Sequence, residues 1–257
     1  MCKCAYIGVS SNFKKQKMKT LLYISTLLLL ISCGQKNSNQ TAKTHESAVD
    51  TLADNLKVSD NKTNNICQEY SKIKVKEISE KSYPNINYLQ TFQYNDLTLL
   101  FGSYQSEPKN LAKNDFGGYR LFVMNAKGEL LFRSKGADDS RSFSPEFYKL
   151  NDFSPVFILV ELGDEGGSWG NNVYSILGNE VKDIGNINIA KQKIIDGYFS
   201  FVNIGEFTQI CKIGNSFQFN FHTDSVTYDP NGKNEKSLDG KKWHYIYDEK
   251  TFKLTKK

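Results

Sequence analysis

Histidine and cysteine are scarce in this chain. With three histidines and five cysteines in 257 residues, there is little from which to build a metal centre. No two of His45, His222 and His244 fall at ligand spacing on one element, so zinc is not expected. A basic surplus is absent too, once the first residues are set aside. The formal charge is +5, but Lys3, Lys14, Lys15, Lys17 and Lys19 all precede Cys33 and no acid does. From Cys33 onward the chain carries 28 basic and 28 acidic residues. Nucleic-acid binding rests on a positive field, and that argument disappears. Long apolar runs are also missing. The longest, residues 21–31, contains one Ser and one Thr and is about half the length that spans a bilayer. From residue 66 on, no dozen residues show a 3.6-residue apolar period. That excludes a helical domain and the strand–helix alternation of α/β enzymes. Nothing in the composition implies a cofactor.

What stands at the start is a leader. Met18-Lys19-Thr20 opens a short basic region, the apolar run follows, and Leu30-Ile31-Ser32-Cys33 closes it. This tetrapeptide resembles the lipobox of bacterial lipoproteins. The resemblance implies that residues 1–32 form a signal peptide, removed on maturation, and that Cys33 then carries lipid such as palmitate. It covers the leader alone. Met1 and Met18 are both possible starts, and Cys2 and Cys4 fall before the cleavage point. Gly34 and Gln35 follow Cys33. The aspartate that favours inner-membrane retention in enterobacterial lipoproteins is absent, which points to the outer membrane of the cell envelope. The lipid on Cys33 makes the membrane the first partner.

Residues 34–65 read as a tether, rich in Asn, Lys, Ser and Thr and without an aromatic. Such a segment buries too little apolar surface to offset its ordering entropy. As a coil it spans roughly 30 Å. Beyond it, Cys67 and Cys211 remain as an even pair in an oxidising compartment. A disulfide is expected; the alternative is two free thiols.

Residues 66–257 read as a single all-β domain. Gly, Asn and Asp interrupt β-branched and aromatic segments every ten residues or so. Hairpins turn at Asn95-Asp96, at residues 125–128, at 178–180, at 214–216 and at 248–250. Apolar strands at 97–101, 155–162 and 198–204 each precede one of these hairpins. The unit suits an antiparallel meander folded as a small or incomplete β-propeller, or as a β-sandwich. Phe157-Ile158-Leu159-Val160 is the most continuously apolar strand and is expected at the centre, buried on both faces.

One short stretch carries the functional question. Residues 166–170 read GGSWG, matching the G-x-S-x-G around many hydrolase serines. A nucleophile elbow needs a strand running sharply into a helix. Here Gly163-Asp164-Glu165 intervene, β-like sequence follows, and two carboxylates precede Ser168. A glycine-rich loop over residues 163–172 fits better, with Trp169 as the candidate ligand-binding residue beside Asp164 and Glu165. The alternative has Trp169 folded inward as a plug. The acid pairs Asp164-Glu165 and Asp138-Asp139 lack the spacing of a calcium loop, so no metal is expected. With no complete catalytic set, the chain points to a binding or structural lipoprotein with a protein or glycan partner. The competing reading is a serine hydrolase using Ser168 with His222 or His244.

Overall fold

Period-two burial along one strand organises the whole molecule. In the computed structural model, which describes residues 66–79, 83–113, 115–137 and 140–257, Val156–Asp164 runs through the middle of the largest sheet. Successive side chains on a strand point to opposite faces. Phe157 and Leu159 accordingly enter one core with Ile210, Phe217 and Phe219. Val156, Ile158 and Val160 enter a second core with Leu99, Phe101, Leu121 and Val123. A strand covered on both faces can be apolar at every position, which is why this run lacks alternation. The expected central placement is what the structure has. The leader, Cys33, the tether and the Asp138-Asp139 pair lie outside the described residues.

Three sheets stack around these two cores. The middle sheet has nine strands, ordered Lys236–Asp239, Ser225–Tyr228, Ile189–Ile195, Tyr198–Val202, Gly167–Leu177, Val156–Asp164, Pro145–Lys149 and Ser71–Ile73, with Glu180–Ile187 also paired to Gly167–Leu177. On one side lies a five-stranded C-terminal sheet: Gln68–Glu69, Thr208–Ile213, Ser216–Phe221, Trp243–Tyr247 and Phe252–Lys256. On the other lies a five-stranded N-terminal sheet: Lys76–Glu77, Ile86–Tyr94, Leu97–Tyr104, Arg120–Met124 and Leu130–Arg133. The fold is all-β, and the described residues form no closed barrel. Almost every pairing is antiparallel, and the exception is the single parallel bridge between Gly167 and Phe201. The only helical element among the described residues is a 3-10 turn, Ile204–Phe207.

All five expected hairpins form. The repeating unit of strand plus hairpin holds twice, in the N-terminal and middle sheets, and fails the third time. Tyr198–Val202 pairs back on Ile189–Ile195 across Asp196-Gly197, where Asp196 and Gly197 both take positive φ, as a tight hairpin turn requires. The 3-10 turn then carries the chain to the C-terminal sheet. The tip of this hairpin exposes Ile194, Ile195, Tyr198 and Phe199, the last two at the start of the apolar strand expected over 198–204.

Cys67 and Cys211 are joined by a disulfide, with Cα atoms 5.1 Å apart and a sequence separation of 144. It ties the N-terminal strand Gln68–Glu69 to Thr208–Ile213, a pairing of only two residues.

Candidate functional site

The GGSWG stretch is not a loop. Asp164 pairs directly with Gly167, leaving Glu165-Gly166 as a two-residue turn, and Gly167–Leu177 is an eleven-residue strand. The expected glycine-rich loop over 163–172 is therefore corrected to a tight hairpin. Its glycines serve close backbone approach. A Cβ on Gly167 would meet the Phe201 carbonyl oxygen and one on Gly170 the Ile187 carbonyl oxygen. Both residues also sit at positive φ, +111° and +136°, where a side chain is strained.

This geometry removes the parts an elbow needs. No helix starts after Gly170. Ser168 is 2% exposed, and its hydroxyl donates to the Leu162 carbonyl oxygen at 3.4 Å. It also lies against the Glu161 carboxyl, whose pKa burial pushes up, Ser168 lowers, and Glu146 and Glu206 raise again. A buried serine beside a carboxyl, with two more acids acting on that carboxyl, sits where a developing oxyanion is disfavoured. His222 and His244 belong to the C-terminal sheet region. His222 Nε2 is 2.8 Å from Gln209 Oε1, and His244 is buried on Trp243–Tyr247 opposite Asn220. Neither shares a hydrogen bond with Ser168. A serine-directed phosphonate probe is expected to add no mass to the full chain, and label lost in Ser168→Ala would refute this.

Glu161 yields a second expectation. A carboxyl whose pKa is raised on folding costs stability wherever it is ionised, so the cost appears as pH rises through the folded pKa. Glu161→Gln is expected to stabilise the protein at pH 7 by on the order of 1 kcal/mol or less. The gain should vanish near pH 4, as urea titrations at the two pH values would show.

Trp169 has a different position. The register between the two central strands shifts at Ser168/Gly170, and Trp169 is the extra residue of this β-bulge. A bulge re-aims the side chain it carries. Ser168 faces the C-terminal sheet, whereas Trp169, half-buried, faces a cleft of about 630 Å³ on the other side. A second register shift, at Val173/Tyr174 against Glu180–Ile187, bends the neighbouring strand along the same cleft. Leu162, Asn172, Tyr174, Asp183 and Asn186 come from the middle sheet, and Phe116, Lys135 and Ala137 from the N-terminal sheet's connections. Asp164 and Glu165, expected beside Trp169, do not line the cleft. Asp164 Oδ1 caps the turn through Gly166 N–H at 2.7 Å, and Glu165 pairs with Arg141.

The floor of the cleft is a polar relay. Asn186 Nδ2 donates to Asn172 Oδ1 at 2.9 Å, and Tyr174 lines the cleft beside them. Burial raises the pKa of its hydroxyl far above the ordinary tyrosine value, against the lowering effect of Ser134 and Asn172. Tyr174 therefore stays neutral at any working pH. Asn186 Oδ1 is shielded from water and has no partner among the described residues.

The wall carrying Phe116 is pinned by a buried ion network that sequence reasoning missed. Arg120 has no exposed surface. Its guanidinium reaches Asp115 Oδ1 and Oδ2 at 3.1 and 2.9 Å and Glu107 Oε1 and Oε2 at 3.1 and 3.0 Å. It lies 5.1 Å from the centre of the Tyr104 ring. Asp115 also accepts the Gly136 N–H at 3.0 Å, tying the two cleft loops together. The available signal was one arginine opening the apolar strand Arg120–Met124, with acids in the preceding loop. No group of three or more acid, Cys or His side chains among the described residues could hold a metal ion. Compared with known proteins, the chain matches no family model, no curated protein and no solved structure.

Proposed function

We propose that this protein is a lipid-anchored binding lipoprotein of the bacterial cell envelope, placed on the outer membrane, whose ligand enters the cleft walled by Trp169. The leader and the Leu30-Ile31-Ser32-Cys33 lipobox support the anchor, and residues 34–65 provide reach away from the lipid surface. The observation that carries the binding reading is the bulge that turns Trp169 out of its strand's alternation and into the cleft. The cleft's size lies within the roughly 300–1,000 Å³ of small-ligand sites. Its walls are paired strands and a buried ion network, so the site is preformed and loses little entropy on binding.

Two measurements test the two halves. Radiolabelled palmitate fed to expressing cells is expected to label the wild-type chain and not Cys33→Ala; label on both would remove the anchor assignment. A small-fragment library followed by ligand-observed NMR is expected to give hits on the full chain that Trp169→Phe weakens several-fold. Hits indifferent to Trp169 would place binding elsewhere.

A further inference from the structure

The chemistry of the cleft is specific enough to name a ligand class, an inference that rests on the binding reading above. Three features act together. The first is aromatic area. Trp169 offers a broad half-buried face with one N–H donor, and Phe116 stands at the same cleft 73% exposed. An exposed phenyl ring held by a buried ion network is poised to cover a flat, weakly polar surface. The second is the type of polar group. Asn172 and Asn186 are neutral amides, each both donor and acceptor, and hydroxyl groups are donor and acceptor in the same way. The third is charge. Lys135 and Asp183 stand at the cleft close enough for the lysine to act on the aspartate. Each repels the ion the other would attract, so the pair favours a ligand without net charge.

We infer that the cleft binds a neutral pyranose unit of an oligosaccharide, with the C–H face of the ring against Trp169 and its hydroxyls on the Asn172–Asn186 amides. A pyranose presents C–H groups on its faces and hydroxyls around its edge, which matches aromatic walls over an amide floor. Asn186 Oδ1 fits the assignment. It is an acceptor without a donor, and leaving one unmade inside a protein is unfavourable. The terminal torsion of asparagine is broad, which leaves this oxygen free to turn towards an incoming hydroxyl. A ligand with net charge of either sign meets one like charge at the cleft, Asp183 or Lys135.

The test is calorimetric titration of the full chain, purified in a sugar-free detergent. Chitotetraose, maltotetraose and mannotetraose are the neutral probes, and a tetragalacturonate and a tetralysine are the charged ones. At least one neutral oligosaccharide is expected to bind in the micromolar to millimolar range, and neither charged probe. Phe116→Ala, at an exposed side chain, keeps the fold and is expected to weaken that binding about 3- to 10-fold. Trp169→Ala is expected to abolish it, with Trp169→Phe retaining part. Binding of a neutral sugar that ignores both aromatic residues would overturn the assignment. So would binding of the charged probes alone. If no oligosaccharide binds while NMR fragments still depend on Trp169, the glycan inference fails and the cleft reading stands. If neither binds, both fail.

Discussion

Arg120→Ala is expected to lower the stability of the domain by about 3–5 kcal/mol, the usual cost of leaving a buried charge without its partner. For a domain of this length that corresponds to roughly 6–20 °C in Tm. The Asp115 side chain is 1% exposed. Without Arg120 it retains two backbone N–H donors and Arg133 at 3.2 Å, and Arg133 is itself partly solvated. Arg120→Lys keeps one charge but cannot reach Asp115 and Glu107 in two planar pairs, so an intermediate loss is expected. Arg141→Ala is the control. Arg141 and Glu165 are 69% and 82% exposed, and such pairs contribute about 0–1 kcal/mol. Urea midpoints with an unchanged m-value would check the series. Equal losses for Arg120→Ala and Arg141→Ala would show that burial is not what makes the network costly to break.

The same network gives a pH dependence. Burial pushes Asp115 up, but the Gly136 and Gly117 N–H groups and the Arg120 guanidinium outweigh it and hold its pKa below the ordinary carboxylate value. A carboxyl with a lowered folded pKa contributes stability above its unfolded pKa and loses it as pH falls through the folded one. The gap between wild type and Asp115→Asn is therefore expected to be full above about pH 5 and to close in acid.

Much of the β architecture was legible because turns carry local signals. Asn95-Asp96, Gly178 and Gly214 each fix a hairpin whatever surrounds them. The Ile189–Ile195/Tyr198–Val202 hairpin was missed although Asp196-Gly197 is a strong turn signal. Its flanks, Ile194, Ile195, Tyr198 and Phe199, are apolar yet stand exposed, and hydrophobicity does not report what covers a residue. The continuous run Phe157-Ile158-Leu159-Val160 was readable for the opposite reason, since only a strand with two covered faces has no polar side.

The candidate site divides the same way. Trp169 was visible as an aromatic among glycines. Its placement depends on a one-residue bulge, and a slip of one residue reverses every side chain after it. Asp164 and Glu165 looked like site residues because they are near in sequence, but a two-residue turn holds them outside the cleft. Phe116 and Lys135 reach the cleft through sheet stacking and Asn186 through strand pairing, which no local pattern encodes. Arg120 stayed hidden because its acids lie in a loop without a motif.

Breaking the disulfide is the other change with a large expected effect. Cys67 and Cys211 close a loop with a sequence separation of 144, for which chain entropy gives about 5 kcal/mol at most. Native disulfides lost from domains commonly cost about 2–5 kcal/mol. The local structure makes the loss specific. Gln68–Glu69 is held by two residue pairs and by the Tyr70 N–H to the Ile210 carbonyl at 2.8 Å. The Tyr70 ring then packs 5.2 Å from Phe157 and 6.1 Å from Phe217, in the core between the middle and C-terminal sheets. Without the bond, the end strand is expected to fray first and to loosen Tyr70 with it. Cys67→Ser/Cys211→Ser and the reduced, alkylated wild type should therefore share a lowered urea midpoint. Hydrogen exchange should speed up at Tyr70 and along Thr208–Ile213 before the N-terminal sheet responds. An unchanged midpoint, or faster exchange spread evenly over all three sheets, would mean that the bond does not act through this strand. In an oxidising envelope the bond is kept; the same chain made in a reducing cytoplasm should display the weakened midpoint until it is oxidised.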